Sequence, residues 1–342
     1  MKSTSHCFDM IFRKILLVLL IVMIPGYLFS QNSTSKHFKV EKMSEGVYAV
    51  IHSPGGYAIC NAGIVNLGEV TLVFDTFLSP EAALDLSKVA VELTGNPVKY
   101  VINSHYHNDH IRGNQVFKPS ATIISTTDTR NLIAENEPKE ILAEQEYAPE
   151  RLAQLQAEYE AETDEENKKS QQMWIGYFEA LVKSHPILKT TLPDLTFSGD
   201  MIIHGSRREA QLITFDIGHT ASDLILYLPE EKIIFTGDLL FIGMHPYLAD
   251  GNPGHLVQTL LQLKTFQIEK ILPGHGEVGT LEDIDRMIEY VNQMNALIER
   301  LLAQNVTAEE LDEVQIPEPF QNWEFQNFFR INLKFMFNLY NN

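Results

Sequence analysis

The chain is poor in cysteine, holds far fewer basic than acidic residues, and shows no internal repeat of fixed period. Two cysteines, Cys7 and Cys60, cannot build the multi-bridge framework that staples small exported domains. Lys and Arg number 26 against 45 Asp and Glu, a formal charge of -19. Clustered cations are what grip a phosphate backbone, so this balance argues against nucleic acid as a partner. An apolar run from Ile15 to Ile24 is ten residues long, whereas a membrane-spanning helix takes about 20. What the chain does have is apolar material: 44% of its 342 residues are hydrophobic, enough for a substantial core.

Arg13 and Lys14 stand before that short run, and Pro25-Gly26 and Ser30 follow it. A charged start, a short apolar centre and a small-residue exit make residues 1–30 read as a secretory signal peptide, cut after Ser30. Leu28 departs from the small-x-small rule at the cut, and an uncleaved anchor is the alternative under which the chain would touch a membrane. Cleavage would leave Cys60 alone, in a periplasmic or secreted protein.

From Phe38 to Phe77 short β-rich runs, including Val47 to Ile51 and Val70 to Phe74, read as a meander. Ser79-Pro80 predicts a capped helix start, the helix running through Leu93 and ended by Gly95. Val98 to Ile102 reads as a strand that delivers the chain into Ser104-His105-Tyr106-His107-Asn108-Asp109-His110. Beyond a strand-like stretch from Thr122 to Ser125, composition is helical to about Lys189, with Pro138, Pro149 and Pro186 expected to break it. Strand patterns return between Thr196 and Pro273, among them Gln211 to Phe215, Leu224 to Leu228 and Lys232 to Phe235. An amphipathic helix is predicted over Leu281 to Leu302, and Thr307 with Glu310 forms a capping box for another short one.

His105, His107, Asp109 and His110 fall within six residues after a strand. Imidazoles and carboxylates are the ligands zinc takes where no thiolate is offered. Alternate side chains of an extended segment face one way, so His105 and His107 can meet one ion while Asp109 and His110 reach a second. His105-Tyr106-His107-Asn108-Asp109-His110 resembles the H-x-H-x-D-H signature of the metallo-β-lactamase superfamily. Gly218-His219-Thr220, Thr236-Gly237-Asp238 and Pro273-Gly274-His275-Gly276 follow in the order of its later motifs, and Phe74-Asp75-Thr76 resembles its early aspartate. The likeness covers roughly residues 38–300 and implies an α/β fold: a four-layer αββα sandwich with the metals at one edge between two sheets. It implies a domain over 31–305, with a helical insert at about 131–190 and a C-terminal helical and aromatic extension over 306–342.

Carried over by position, the resemblance implies one zinc ion on His105, His107 and His219 and a second on Asp109, His110 and His275, bridged by Asp238. Asp75, and with less support Asp223, would hold ligand loops by hydrogen bonds without touching metal. The charge of two zinc ions exceeds that of two carboxylates and a bridging hydroxide, so such a site acidifies its water toward a pKa of about 7. The implied activity is hydrolysis of a lactam, lactone, ester or thioester carbonyl in a small molecule, with Asp109 orienting the hydroxide and moving its proton.

Asp238 and Phe241 stand where the best-known β-lactamases carry cysteine and lysine. The bridging aspartate is closer to glyoxalase II and lactonases, but the basic glutathione-binding stretch is missing from Leu239 to Tyr247. His245 and Tyr247 are candidate substrate contacts in that loop. Tyr57, in the Gly-rich turn Ser53 to Tyr57, reads as an exposed turn aromatic. A mononuclear iron persulfide dioxygenase and a non-catalytic periplasmic zinc-binding relay are the alternative functions. Residues 131–190 hold 13 acidic and 6 basic residues, with Trp174, Tyr177 and Phe178 near the end. This insert reads as a lid, an arm for a homodimer, or a solvated hairpin docked by its aromatic end. The chain's acidity would then lie mostly away from the site. The aromatics from Phe320 to Phe337 are expected to dock on the body.

Overall fold

A computed structural model describes residues 35 to 341, Asp216 excepted. The expected leader, and Cys7 with it, lies outside the described residues. Among those described, no helix is long and apolar enough to cross a membrane.

Strands β1 (Phe38–Ser44), β2 (Val47–His52), β3 (Ala62–Asn66) and β4 (Thr71–Phe74) form an antiparallel meander. Helix α1 (Pro80–Thr94) then returns the chain to β5 (Val98–Ile102), parallel to β4. Ser79 Oγ accepts from the Ala82 amide, Pro80 needs no donor at the first turn, and Gly95 closes the helix at φ 71°. Two short turns, α2 (Asn108–Ile111) and α3 (Asn114–Phe117), lead to β6 (Thr122–Thr126). The long helices α4 (Thr127–Ala161) and α5 (Glu165–Ser184) precede β7 (Leu195–Phe197), the last strand of a seven-stranded sheet whose spatial order is its chain order. The helical insert thus leaves the first sheet one strand before the chain crosses to the second.

The second sheet comprises β8 (Met201–His204), β9 (Glu209–Thr214), β10 (Leu224–Leu228), β11 (Ile233–Phe241) and β12 (Lys270–His275), in the order β12-β11-β10-β9-β8. Helix α6 (Pro253–Leu263) makes the crossover between the parallel pair β11 and β12, and α7 (Leu281–Ala303) and α8 (Gln326–Asn341) follow. Period-two alternation sorts the strand side chains into two cores. Leu72 and Phe74 of β4 meet Leu224, Leu226, Ile233 and Phe235 of the other sheet in one cluster. Val73, Ile225 and Ile234, which alternate with them, join Leu86 of α1, Leu260 of α6 and Val291 of α7 in the other. One core therefore lies between the sheets and the other between sheets and helices, which gives the four αββα layers that the resemblance implies.

Two local expectations fail. Pro138 and Pro149 do not break the insert; both lie inside α4, a single helix of 35 residues. Each forfeits one backbone hydrogen bond, to the carbonyls of Ala134 and Gln145. Tertiary ties hold the helix through both, because Glu137 and Glu144 each pair with buried Arg112 at 2.8 Å and Ala148 is fully buried. Tyr57 is likewise no exposed turn aromatic. It is 4% exposed beneath α5, its hydroxyl donating to Glu179 Oε2 at 2.8 Å and accepting from Lys183.

Candidate metal centre

The C-terminal ends of parallel strands converge at one edge of the sandwich. Asp75 follows β4, Ser104 and His105 follow β5, Asp238 sits within β11, and His275 ends β12. His219 comes from the β9–β10 connection, and Asp109 and His110 from α2. Parallel strands explain the convergence, since their carboxyl ends share one side of a sheet. Sheet contact is tight: a Cβ at Gly274 would stand 1.9 Å from Asp238 Oδ1, so that position has room only for glycine.

Ligand-type atoms of His105, His107, His219 and Asp238 lie within 4.8 Å of one another, and so do those of His110, Asp238 and His275. Asp238 belongs to both groups. Asp109 Oδ2 is 3.4 Å from His275 Nε2 and 3.7 Å from His110 Nε2. All seven side chains expected as ligands are therefore brought together. Cys60 Sγ stands with Asp109 and His110, a neighbour the sequence reading did not include. That thiol is spent on the Asp109 carbonyl oxygen at 2.8 Å, and burial pushes it up to about 12, which keeps it protonated.

Hydrogen bonds made behind the rings decide which nitrogen faces inward. His110 Nδ1 lies 2.8 Å from Asp75 Oδ2, His105 Nδ1 is 2.9 Å from Ser104 Oγ, and His219 Nδ1 is 2.8 Å from the Tyr247 carbonyl oxygen. In each case Nε2 is left for the centre. His107 is turned the other way: its Nε2 is 3.0 Å from Asp250 Oδ2, leaving Nδ1 3.0 Å from His219 Nε2. Asp75 organises two loops at once, because it also accepts from the Ser104 amide and hydroxyl, both at 2.8 Å. Asp223 accepts from the Thr220 amide and hydroxyl and so fixes the turn beside His219; burial pushes its carboxyl up to about 6.

The donors left over fit a cation. His105 Nε2 is buried with no hydrogen-bond partner, and His110 Nε2 faces Asp238 Oδ1 at 3.0 Å outside good hydrogen-bond geometry, an arrangement that costs free energy unless something else satisfies it. Burial lowers His219 to about 3 and His105 well below its ordinary value, so both offer neutral nitrogens. Burial opposes charge on Asp238 too, yet His110 and His275 hold its carboxyl well below the usual range. Imidazole nitrogens and carboxylate oxygens with no thiolate among them are a donor set suited to zinc.

His245 is a correction. It is fully buried, its Nδ1 3.1 Å from the Tyr290 hydroxyl and its ring packed against Trp323 and Phe329, so it faces the C-terminal extension and not the centre. Tyr247, two residues on, does reach the cavity, its ring centroid 6.0 Å from that of His107. Two residues besides Cys60 escaped the sequence reading. Asp250 takes hydrogen bonds from both Tyr106 and His107. Asn61 donates to the carbonyls of Pro273 and Gly276, at 3.0 and 2.8 Å, tying the His275 turn to the first sheet. Neither has a local signal; a polar residue beside a strand is too common to single out.

The centre opens into a cavity of 590 Å³. Its floor includes His107, Asp109, Asp238 and His275, and Phe241 stacks on His275 at 4.6 Å. Its walls come from α4, α5 and α8. The insert's acidity is not remote from the site as expected, because Glu140 and Glu144 line this cavity. Glu144 is balanced by Arg112 at 2.8 Å and His185 at 3.2 Å, whereas burial pushes the Glu140 carboxyl up.

The family model described as the metallo-beta-lactamase superfamily matches residues 55–275. A curated relative, the beta-lactamase-like protein 2 homolog of Caenorhabditis elegans, is 23% identical over 266 residues, covering 74% of this chain and 68% of the relative. Among solved structures, a metallo-beta-lactamase from Pontibacter korlensis superposes with a TM-score of 0.54 at 18% identity, covering 75% of this chain and 99% of that one.

Proposed function

We propose, from the premise that the chain belongs to the metallo-beta-lactamase superfamily, that this metallohydrolase-type protein is an exported hydrolase that holds two zinc ions and opens a lactam, lactone, ester or thioester carbonyl. The observation that carries the reading is the convergence of five imidazoles and two carboxylates, each histidine other than His275 locked from behind so that one nitrogen faces inward. In this reading one ion is held by His105, His107 and His219, the other by Asp109, His110 and His275, and Asp238 serves both. When bound, the pair supplies Lewis acidity toward a carbonyl and acidifies a water toward a pKa of about 7.

The chain's own groups do the rest. Asp109 is the catalytic residue: its carboxylate lines the cavity and lies beside His110 and His275, where Oδ2 can orient a water and take up its proton. Asp75 and Ser104 keep His105 and His110 in the tautomers that face inward. Tyr247 stands at the rim beside His107, where its hydroxyl can donate to a bound substrate.

Metal analysis of the purified chain should find about two zinc ions, and a lactam, lactone and thioester panel should find turnover. Asp109→Ala should stay folded by circular dichroism while activity falls about 10²- to 10⁴-fold. One iron with oxygen-dependent sulfite production would replace this reading with an oxidoreductase. Stoichiometric metal with no hydrolysis across the panel would replace it with a zinc carrier. Export is tested by sequencing the N-terminus of the extracytoplasmic chain, which should begin at Gln31.

A further inference from the structure

We propose that the cavity over the metal centre selects an uncharged carbonyl substrate bearing an elongated apolar acyl or aryl group, and that the helical insert and C-terminal extension together supply this selectivity. The inference deepens the hydrolase reading and rests on it for the position of the reacting carbonyl. Its support lies in the walls. Tyr147 of α4, Met173, Trp174 and Phe178 of α5, Phe325 just before α8 and Phe328 within it line the cavity. Trp174 bridges the two segments, its ring centroid 5.8 Å from both Phe325 and Phe328. A cavity of 590 Å³ is in the range that encloses most of a small organic ligand, and lining of this kind stabilises apolar surface taken from water.

Charge narrows the class. Arg151 is the sole cation among the lining residues, and its guanidinium is turned to Glu158 at 3.2 Å and Gln154 at 3.3 Å. Asp250 stands against His107, and Glu140 lies within electrostatic range of both. A substrate carboxylate would meet acidic neighbours at the rim and no free cation in the walls. An uncharged chain laid along the aromatics would meet neither penalty, and its carbonyl would end at the floor.

The test uses the purified full chain with its metal and ligands that resist hydrolysis. N-methylbutanamide, N-methylhexanamide and N-methyloctanamide should bind progressively tighter by titration calorimetry, about three- to fourfold per added methylene. N-octanoylglycine methylamide should bind about tenfold tighter than anionic N-octanoylglycine. Trp174→Ala should flatten the chain-length series at unchanged metal content, and Phe328→Ala serves the same purpose should the first variant misfold. A flat series in the wild-type protein, or tighter binding of the anion, overturns the proposal even if the enzyme turns over. A steep series in a protein that neither keeps metal nor hydrolyses anything would instead remove the hydrolase reading and leave an apolar-ligand site.

Discussion

On the floor of the cavity most ligand-type side chains are fixed by a short hydrogen bond made behind them, whereas the walls are fixed by aromatic packing between two helical segments far apart in sequence. Asp75, Ser104, Asp250 and the Tyr247 carbonyl set ring orientations on the floor. Trp174, Phe325 and Phe328 hold the walls through ring contacts of 5.4 to 5.8 Å. Directional bonds specify a geometry; apolar packing specifies a volume and tolerates change in shape. The floor is accordingly the part that suits chemistry and the walls the part that suits choice of substrate.

Arg112 is where the distinction should break, because it follows the α2 ligand turn yet pairs with Glu137 and Glu144 of the wall helix α4. Arg112→Ala leaves two carboxylates buried without their cation, and urea unfolding should register a loss of about 3–5 kcal/mol. Asp75→Asn should act on the floor alone, lowering zinc affinity about 10- to 100-fold in competition with a chelating dye while the fold persists. His245 gives a pH test of how the extension is held. Burial lowers its pKa from 6.5 to about 4 in the folded chain. Its contribution is thus complete above pH 6.5 and fades as pH falls toward 4, costing about 1–2 kcal/mol at pH 5. Denaturant midpoints taken from pH 7.5 to 4.5 should fall less steeply in His245→Asn. Smallest of all is the surface pair Lys169 to Glu324, at 3.4 Å between insert and extension. Lys169→Ala should change stability by about 0.5 kcal/mol or less and leave zinc content untouched. A loss of metal from that variant would show that the walls also govern the floor.

Legibility in the sequence divides along nearly the same line. Val98–Ile102, Leu224–Leu228 and the helix bounded by Ser79 and Gly95 are written in local patterns, and the structure has them where those patterns fall. The ligand-type residues were legible because they fall in short motifs of characteristic composition along or just after strands, and parallel topology then collects them. The continuous helix through Pro138 and Pro149 was not legible, because Arg112, which steadies it, is remote in the chain. His245 failed for a related reason. Its place in the loop after β11 could be counted, but its direction was set by Tyr290, Trp323 and Phe329, none of them nearby in sequence. Phe325 and Phe328 were expected to dock on the body; that docking also walls a cavity only once α5 is in place opposite them.

The order in which these parts occur along the chain has a consequence for biosynthesis. Translation runs from the N-terminus, so every ligand-type residue from His105 to His275 is made before Phe325 and Phe328. A nascent chain can therefore assemble the floor while the α8 wall is still missing, and a metal ion or its donor would find the centre open from that side. Docking of α8 would then narrow the passage, turning a step of protein synthesis into the last step of cofactor capture.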